Sequence, residues 1–157
     1  MRTNSKGFTL IELLVVIAII GLLSTLAVIA LNSARQKSRD SKRAADIKQV
    51  MTALELYFAD QNGYPSTSGA AQTLGADGGN YKSLCSTGFS ATSCTGTTYM
   101  GLVPKAPTPQ DGSCLAANNN YSYTSADGTS YSITFCIGTQ TGDLVAGLHT
   151  ASPNGIQ

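Results

Sequence analysis

The stretch from Phe8 to Leu31 decides most of what this chain can fold into. It reads FTLIELLVVIAIIGLLSTLAVIAL, apolar almost throughout, with one charge, Glu12. As a helix it covers about 36 Å, enough to cross a hydrocarbon layer of about 30 Å. Charged residues make up only 12% of the 157 residues, against about 25% in an ordinary soluble domain. Beyond residue 63 the chain is rich in Gly, Ser, Thr and Asn, and such a remainder buries only a small core.

An ordinary secretory signal has a shorter apolar core, followed by a small-residue cleavage site. Here the core is too long, and the small residue, Gly7, stands in front of it behind the basic leader Met1–Lys6. Cleavage after Gly7 would keep the apolar segment on the mature chain and give Phe8 a new positive amine. Glu12 needs a partner, because a carboxylate at the middle of an apolar membrane helix costs about 2.5–3.5 kcal/mol and less near its edge. The Phe8 amine, four residues away, qualifies on the same helix face or from a neighbouring subunit. Snorkelling of Glu12 to the interface is the alternative.

The segment Lys6-Gly7-Phe8-Thr9-Leu10-Ile11-Glu12 resembles the class III signal of type IV prepilins and pseudopilins. The resemblance implies cleavage between Gly7 and Phe8 by a prepilin peptidase, N-methylation of Phe8, and a role for Glu12 in neutralising a neighbour's terminal amine during assembly. Many pilins place a kinking proline in the apolar run. This chain has no proline before Pro65, which leaves Gly21 and Ser24-Thr25 as the weaker candidates for a bend.

From Asn32 to Asp60 there is neither proline nor glycine, and Ala44, Ile47, Val50, Met51, Leu54, Tyr57 and Phe58 recur at helical spacing. Asn62-Gly63 and Pro65 stop the pattern. The spacing predicts one continuous helix: a membrane-spanning or filament-core part over 8–31 and an amphipathic part over 32–62. The stretch Thr52–Pro65, TALELYFADQNGYP, is similar to the helix end of major pseudopilins and related pilins. The basic residues Arg35, Lys37, Arg39, Lys42 and Arg43 admit four readings: lipid headgroup contact, acidic residues of neighbours, a short DNA contact, or a solvated helix face. Counted as flanking charge they place the C-terminal region in the cytoplasm. The cysteines and the prepilin resemblance place it outside, and the specific motif outweighs the statistical bias.

The globular region over 63–157 has Lys82 and Lys105 against Asp77, Asp111, Asp127 and Asp143, which leaves no footprint for nucleic acid. None of its four cysteines is spaced as CxxC, and one histidine cannot complete a zinc set. Two disulfides are expected. Three pairings are open, with Cys85–Cys94 and Cys114–Cys136 preferred and four reduced thiols as the alternative. A loop region with a short helix near Gln72–Leu74 is expected, then an extended proline-rich stretch over 100–109. Alternation in Tyr121–Thr124 and Tyr131–Ile137 across Asp127-Gly128 predicts a β-hairpin, with a further strand over Leu144–Gly147. The fold class is therefore α+β: a long N-terminal helix with a small antiparallel sheet packed on its outer part.

Signs of catalysis are thin. His149 lies near the chain end without a Ser or Cys partner, and no phosphate loop or dinucleotide fingerprint occurs. The pseudopilin resemblance raises calcium, but Asp111, Asp127 and Asp143 are isolated and read as turn residues, so no cofactor is expected. Asn120-Tyr121-Ser122 fits a glycosylation sequon. The expected function is a structural subunit of a type IV pilus-like surface filament. It would be made as a single-pass precursor in the inner membrane and assembled with copies of itself by membrane machinery. A type II secretion major pseudopilin is the alternative, and a monomeric membrane-anchored binding module is the alternative of another class.

Overall fold

A computed structural model describes residues 7–157. The leader expected over residues 1–7, except Gly7, lies outside the described residues. A single helix, α1 (Leu10–Gln61), opens the fold without a break, so neither Gly21 nor Ser24-Thr25 interrupts it. Two units divide the chain, one ending at Arg35 and the other covering Gln36–Gln157.

The N-terminal unit is a bare apolar helix surface. Its large side chains, from Phe8 through Leu31, are all exposed, and the helix is long and apolar enough to cross a membrane. Two hydroxyls in the middle of the apolar run bond back to the helix. Ser24 Oγ donates to Ile20 O at 2.7 Å and Thr25 Oγ1 to Leu22 O at 2.8 Å, so neither of these hydroxyls needs water.

In the second unit α1 turns amphipathic. Arg43, Ile47, Val50 and Leu54 are buried at spacings of three and four. They face a five-stranded antiparallel sheet ordered β1-β5-β6-β7-β8, made of Gln72–Thr73, Ser122–Thr124, Ser132–Ile137, Gly147–Ser152 and Gly155–Ile156. Strands β2 (Ser83–Cys85), β3 (Gly88–Ser90) and β4 (Thr98–Met100) form a second sheet ordered β3-β2-β4. Inward-facing Tyr123, Ile133, Phe135, Ile137 and Ala151 join Ile47, Val50 and Leu54 in one core. Each fully buried side chain of this size contributes about 1.5–3 kcal/mol.

Helix α1 ends where Asn62 enters the left-handed region, φ 53°, a conformation its short side chain tolerates. The chain is then clamped: Tyr64 N donates to Gly128 O at 2.7 Å and Tyr123 Oη to Pro65 O at 2.8 Å. Gly128 sits at φ +82°, and a Cβ there would stand 2.8 Å from Tyr64 O. Asp127 accepts from the N–H and hydroxyl of Thr129 in the same hairpin. Rings of Phe58, Tyr64, Tyr131, Tyr123 and Phe89 follow one another at 4.7–6.1 Å between centroids, linking the helix end to both sheets.

The basic run is where structure and expectation part. Arg39 and Arg43 point into the domain, a fifth outcome beside the four readings above. Arg43 has no exposed surface. Its Nη1 donates to Asp40 Oδ1 at 2.6 Å and its Nη2 to Asn119 Oδ1 at 2.9 Å and Pro107 O at 3.1 Å. Arg39 holds Asp111 in a two-pronged pair. Asp40, equally buried, accepts from Gly138 N at 2.9 Å and from Thr139 N and Oγ1 at 2.8 and 2.7 Å. Thus Asp111 is an ion-pair partner and not an isolated turn residue. Its loop lies so close to the end of β6 that a Cβ on Gly138 would stand 2.4 Å from Asp111 O.

Other corrections are local. The helix expected near Gln72–Leu74 is strand β1, because its edge is taken up by β5 through Gln72↔Tyr123 and Thr73↔Ser122. The strand expected over Leu144–Gly147 starts at Gly147 and runs to Ser152, since Thr141↔Leu144 already closes a turn. A second sheet occupies the region read as loop, with Leu84 and Cys85 buried in its middle strand.

The guanidinium network carries two expected outcomes. Arg43→Met strands Asp40 in the interior and should lower the unfolding free energy by about 3–5 kcal/mol, read by urea unfolding of the full chain in detergent. The Arg39 guanidinium, and Arg43 behind it, hold the Asp111 carboxyl below the usual carboxylate range. A lowered folded pKa contributes stability that is present above the unfolded value, about 3.9, and is lost as pH falls through the folded one. Stability should therefore drop below about pH 3.9, and Asp111→Asn should flatten that drop in an acid titration.

Candidate functional site

The N-terminal site begins one residue before α1. Thr9 is the helix cap, and its Oγ1 accepts the N–H of Glu12 at 3.3 Å. Glu12 reaches back: its Oε2 accepts the Thr9 N–H at 2.8 Å and the Thr9 hydroxyl at 2.7 Å. This reciprocal pair is a capping box, favoured because the first turn of a helix has N–H groups without intrahelical partners. It places the carboxylate at the positive end of the helix dipole. Only Oε2 is used, so among the described residues Oε1 remains open to an incoming donor.

Gly7 and Phe8 precede the cap. Gly7 has nothing within 4 Å of where a Cβ would stand, and Phe8 is 82% exposed. The bond between them is therefore exposed. Before any cleavage the Phe8 nitrogen is a neutral amide with no charge to offer Glu12, and the Thr9 groups occupy Oε2 instead. The sequence reasoning missed Thr9, although the Thr-x-x-Glu signature was available to find it.

The remaining candidate residues belong to the other unit. Cys85 is joined to Cys94 and Cys114 to Cys136. The first bond ties β2 to the loop after β3, and the second ties the segment before the 3-10 turn Ala116–Asn118 to β6. Closing loops of these lengths restricts the unfolded chain by roughly 3 kcal/mol each. His149, expected near a flexible end, is buried in β7, with Nε2 2.8 Å from Val145 O and Nδ1 3.1 Å from Gln157 O. Among the described residues no group of three or more His, Cys, Asp or Glu is placed to hold a metal ion.

Thr9→Val keeps the bulk of the cap and removes its hydroxyl. Losing a cap costs about 1 kcal/mol, so exchange of the Glu12 and Leu13 amides should quicken about fivefold, as read by hydrogen exchange on the full chain in micelles.

Comparison with known proteins fits this geometry. The family model for the prokaryotic N-terminal methylation motif matches residues 2–28. Type II secretion system core protein G of Pectobacterium carotovorum subsp. carotovorum is 41% identical over 71 residues, 45% of this chain and 46% of that one. The type IV wide pilus major component PilA4 of Thermus thermophilus is 42% identical over 72 residues, 46% of this chain and 55% of that one. Core protein G of Escherichia coli (strain K12) is 40% identical over 76 residues, 47% and 52% of the two chains. The chain thus spans about half the length of the curated relatives it matches, and no solved structure matches it. The chain carries a prepilin-type methylation motif on a helix long and apolar enough to cross a membrane, and over about half its length it is similar to type II secretion core proteins G and to a type IV pilus major component.

Proposed function

We propose that the chain is a structural subunit of a type IV pilus-like surface filament and has no catalytic role. In this reading a prepilin peptidase removes residues 1–7 and Phe8 is N-methylated. The helix over 8–31 holds the subunit in the inner membrane until assembly machinery extracts it, and copies then bundle by these helices. The amphipathic part over 32–62 carries the disulfide-bonded domain over 63–157 outward. No cofactor enters the reading.

The observation that carries it is Glu12. A carboxylate at the first turn of a fully exposed apolar helix, with Oε1 unoccupied among the described residues, suits the cationic terminus of the next subunit. Pairing the two removes both charges from an apolar environment at once, and it repeats at each added subunit, which fixes the axial register. The Cys85–Cys94 and Cys114–Cys136 bonds support an exported domain whose core is small. A second reading, a type II secretion major pseudopilin, is favoured by the core protein G relatives and keeps the same assembly chemistry.

Glu12→Ala should abolish filaments while the processed protein stays in the membrane fraction. Unchanged filaments would sink the assembly role, and a monomeric binding module would then explain the chain better. Filaments sheared from cells should give a mass matching residues 8–157 plus one methyl and minus four thiol hydrogens. Processed protein found only in membranes would favour the pseudopilin reading. Membrane-bound protein that still carries residues 1–7 would overturn both.

A further inference from the structure

The outer face of the five-stranded sheet carries a row of hydroxyls. Strand registry aligns Thr73 with Ser122, Ser122 with Thr134, and Thr134 with Thr150. Alternation sends Tyr123, Ile133, Phe135 and Ala151 into the core, so these four side chains stand on the opposite face. Neighbouring strands lie about 4.8 Å apart, so the row is a ladder of groups at nearly even steps. A second rung follows, where Thr124 pairs with Ser132.

The first row is the floor of an open cavity of about 420 Å³, within the ordinary range of about 300–1,000 Å³ for small-molecule sites. Asn118, at the end of the 3-10 turn, and Asn120 form one wall, and Leu148, 60% exposed, forms the other. His149 also reaches the cavity, but both its ring nitrogens already face carbonyl oxygens. The internal hydrogen-bond network draws on Thr67, Ser83, Ser125 and Thr139 instead. Among the described residues the four row hydroxyls and the two carboxamides are not spent on one another.

The chemistry of this lining is selective. Among the described residues no Lys, Arg, Asp or Glu lines the cavity, so a phosphate or an ammonium group would leave water without a counter-charge. Hydroxyl and carboxamide groups each donate and accept, which matches a ligand whose own groups do both. Leu148 offers an apolar patch beside them. We propose that this face binds a neutral saccharide chain, its hydroxyls bonded by the Thr73–Ser122–Thr134–Thr150 row and by Asn118 and Asn120, with Leu148 against a C–H face of the sugar. The proposal does not depend on the filament reading, since the groove belongs to one copy of the chain.

The test uses the full chain in a detergent without a sugar headgroup, titrated in separate calorimetric runs with cellohexaose, maltohexaose and N-acetylchitohexaose, and with a heparin hexasaccharide as charged control. At least one neutral probe should bind saturably, and heparin should not. Thr134→Val with Thr150→Val, which keeps the β-branched shape, should weaken binding about tenfold or more with the melting temperature held. Asn120→Ala, outside the strands, should weaken it as well. The proposal is overturned if no neutral probe saturates in the millimolar range, or if both variants bind as tightly as the parent. It is also overturned if the native chain carries a covalent glycan at Asn120 or on the row hydroxyls, since the groove is then an attachment site. Filament loss in the double variant, with no neutral probe bound, would make the face a contact between copies and overturn it too.

Discussion

One guanidinium, that of Arg43, organises the second unit. It lies where the amphipathic part of α1 meets three pieces of chain that are far apart in sequence: the Pro107 carbonyl, the Asn119 carboxamide and, through Asp40, the backbone at Gly138 and Thr139. A buried cation needs its charge matched and its donors engaged; both terminal nitrogens of Arg43 are engaged, while its Nε has no partner among the described residues. Asp40 and Asp111 match the charge, and the fixed fork of the guanidinium dictates where the loops must stand. The apolar contacts of Ile47, Val50 and Leu54 supply most of the attraction, but they are non-directional. The polar pin sets the rotation of the helix against the sheet.

Such a pin is almost invisible in sequence. Arg39, Asp40 and Arg43 look like any charged helix surface, and Asp111 is separated from them by most of the domain. Their roles emerge only when β6 ends at Ile137 and the 111–112 turn packs against Gly138, the next residue. The close approach there needs glycine on both sides, yet a glycine in a Gly-rich region gives no warning of it. By contrast the helix, its stop at Asn62-Gly63, and the hairpin around Asp127-Gly128 are written in local signals: period, cap chemistry and turn chemistry. They were legible for that reason. The sheet of β2, β3 and β4 was not, because strands of three residues among Ser, Thr and Gly carry no period long enough to read.

The N-terminal site shows the same division. Glu12 stands out because a charge in an apolar run violates the pattern around it. Thr9 does not, although it is the residue that touches Glu12. In the folded chain the carboxylate already has a partner, so under the assembly reading proposed above an amine would meet a side chain whose rotamer is held and whose second oxygen is open among the described residues. That arrangement lowers the ordering cost of a charge pair.

The two disulfides close loops that lie wholly beyond residue 84, and neither includes α1. Under tension this matters. A pull applied along the helix from its N-terminal side enters the domain first at Arg39, Asp40 and Arg43, ahead of the apolar contacts and the helix stop. No covalent bridge shares that load. The sulfur crosslinks lie wholly within the sheets and their loops, so the helix is held against them by non-covalent contacts, the polar ones of those three residues and the apolar ones of Ile47, Val50 and Leu54.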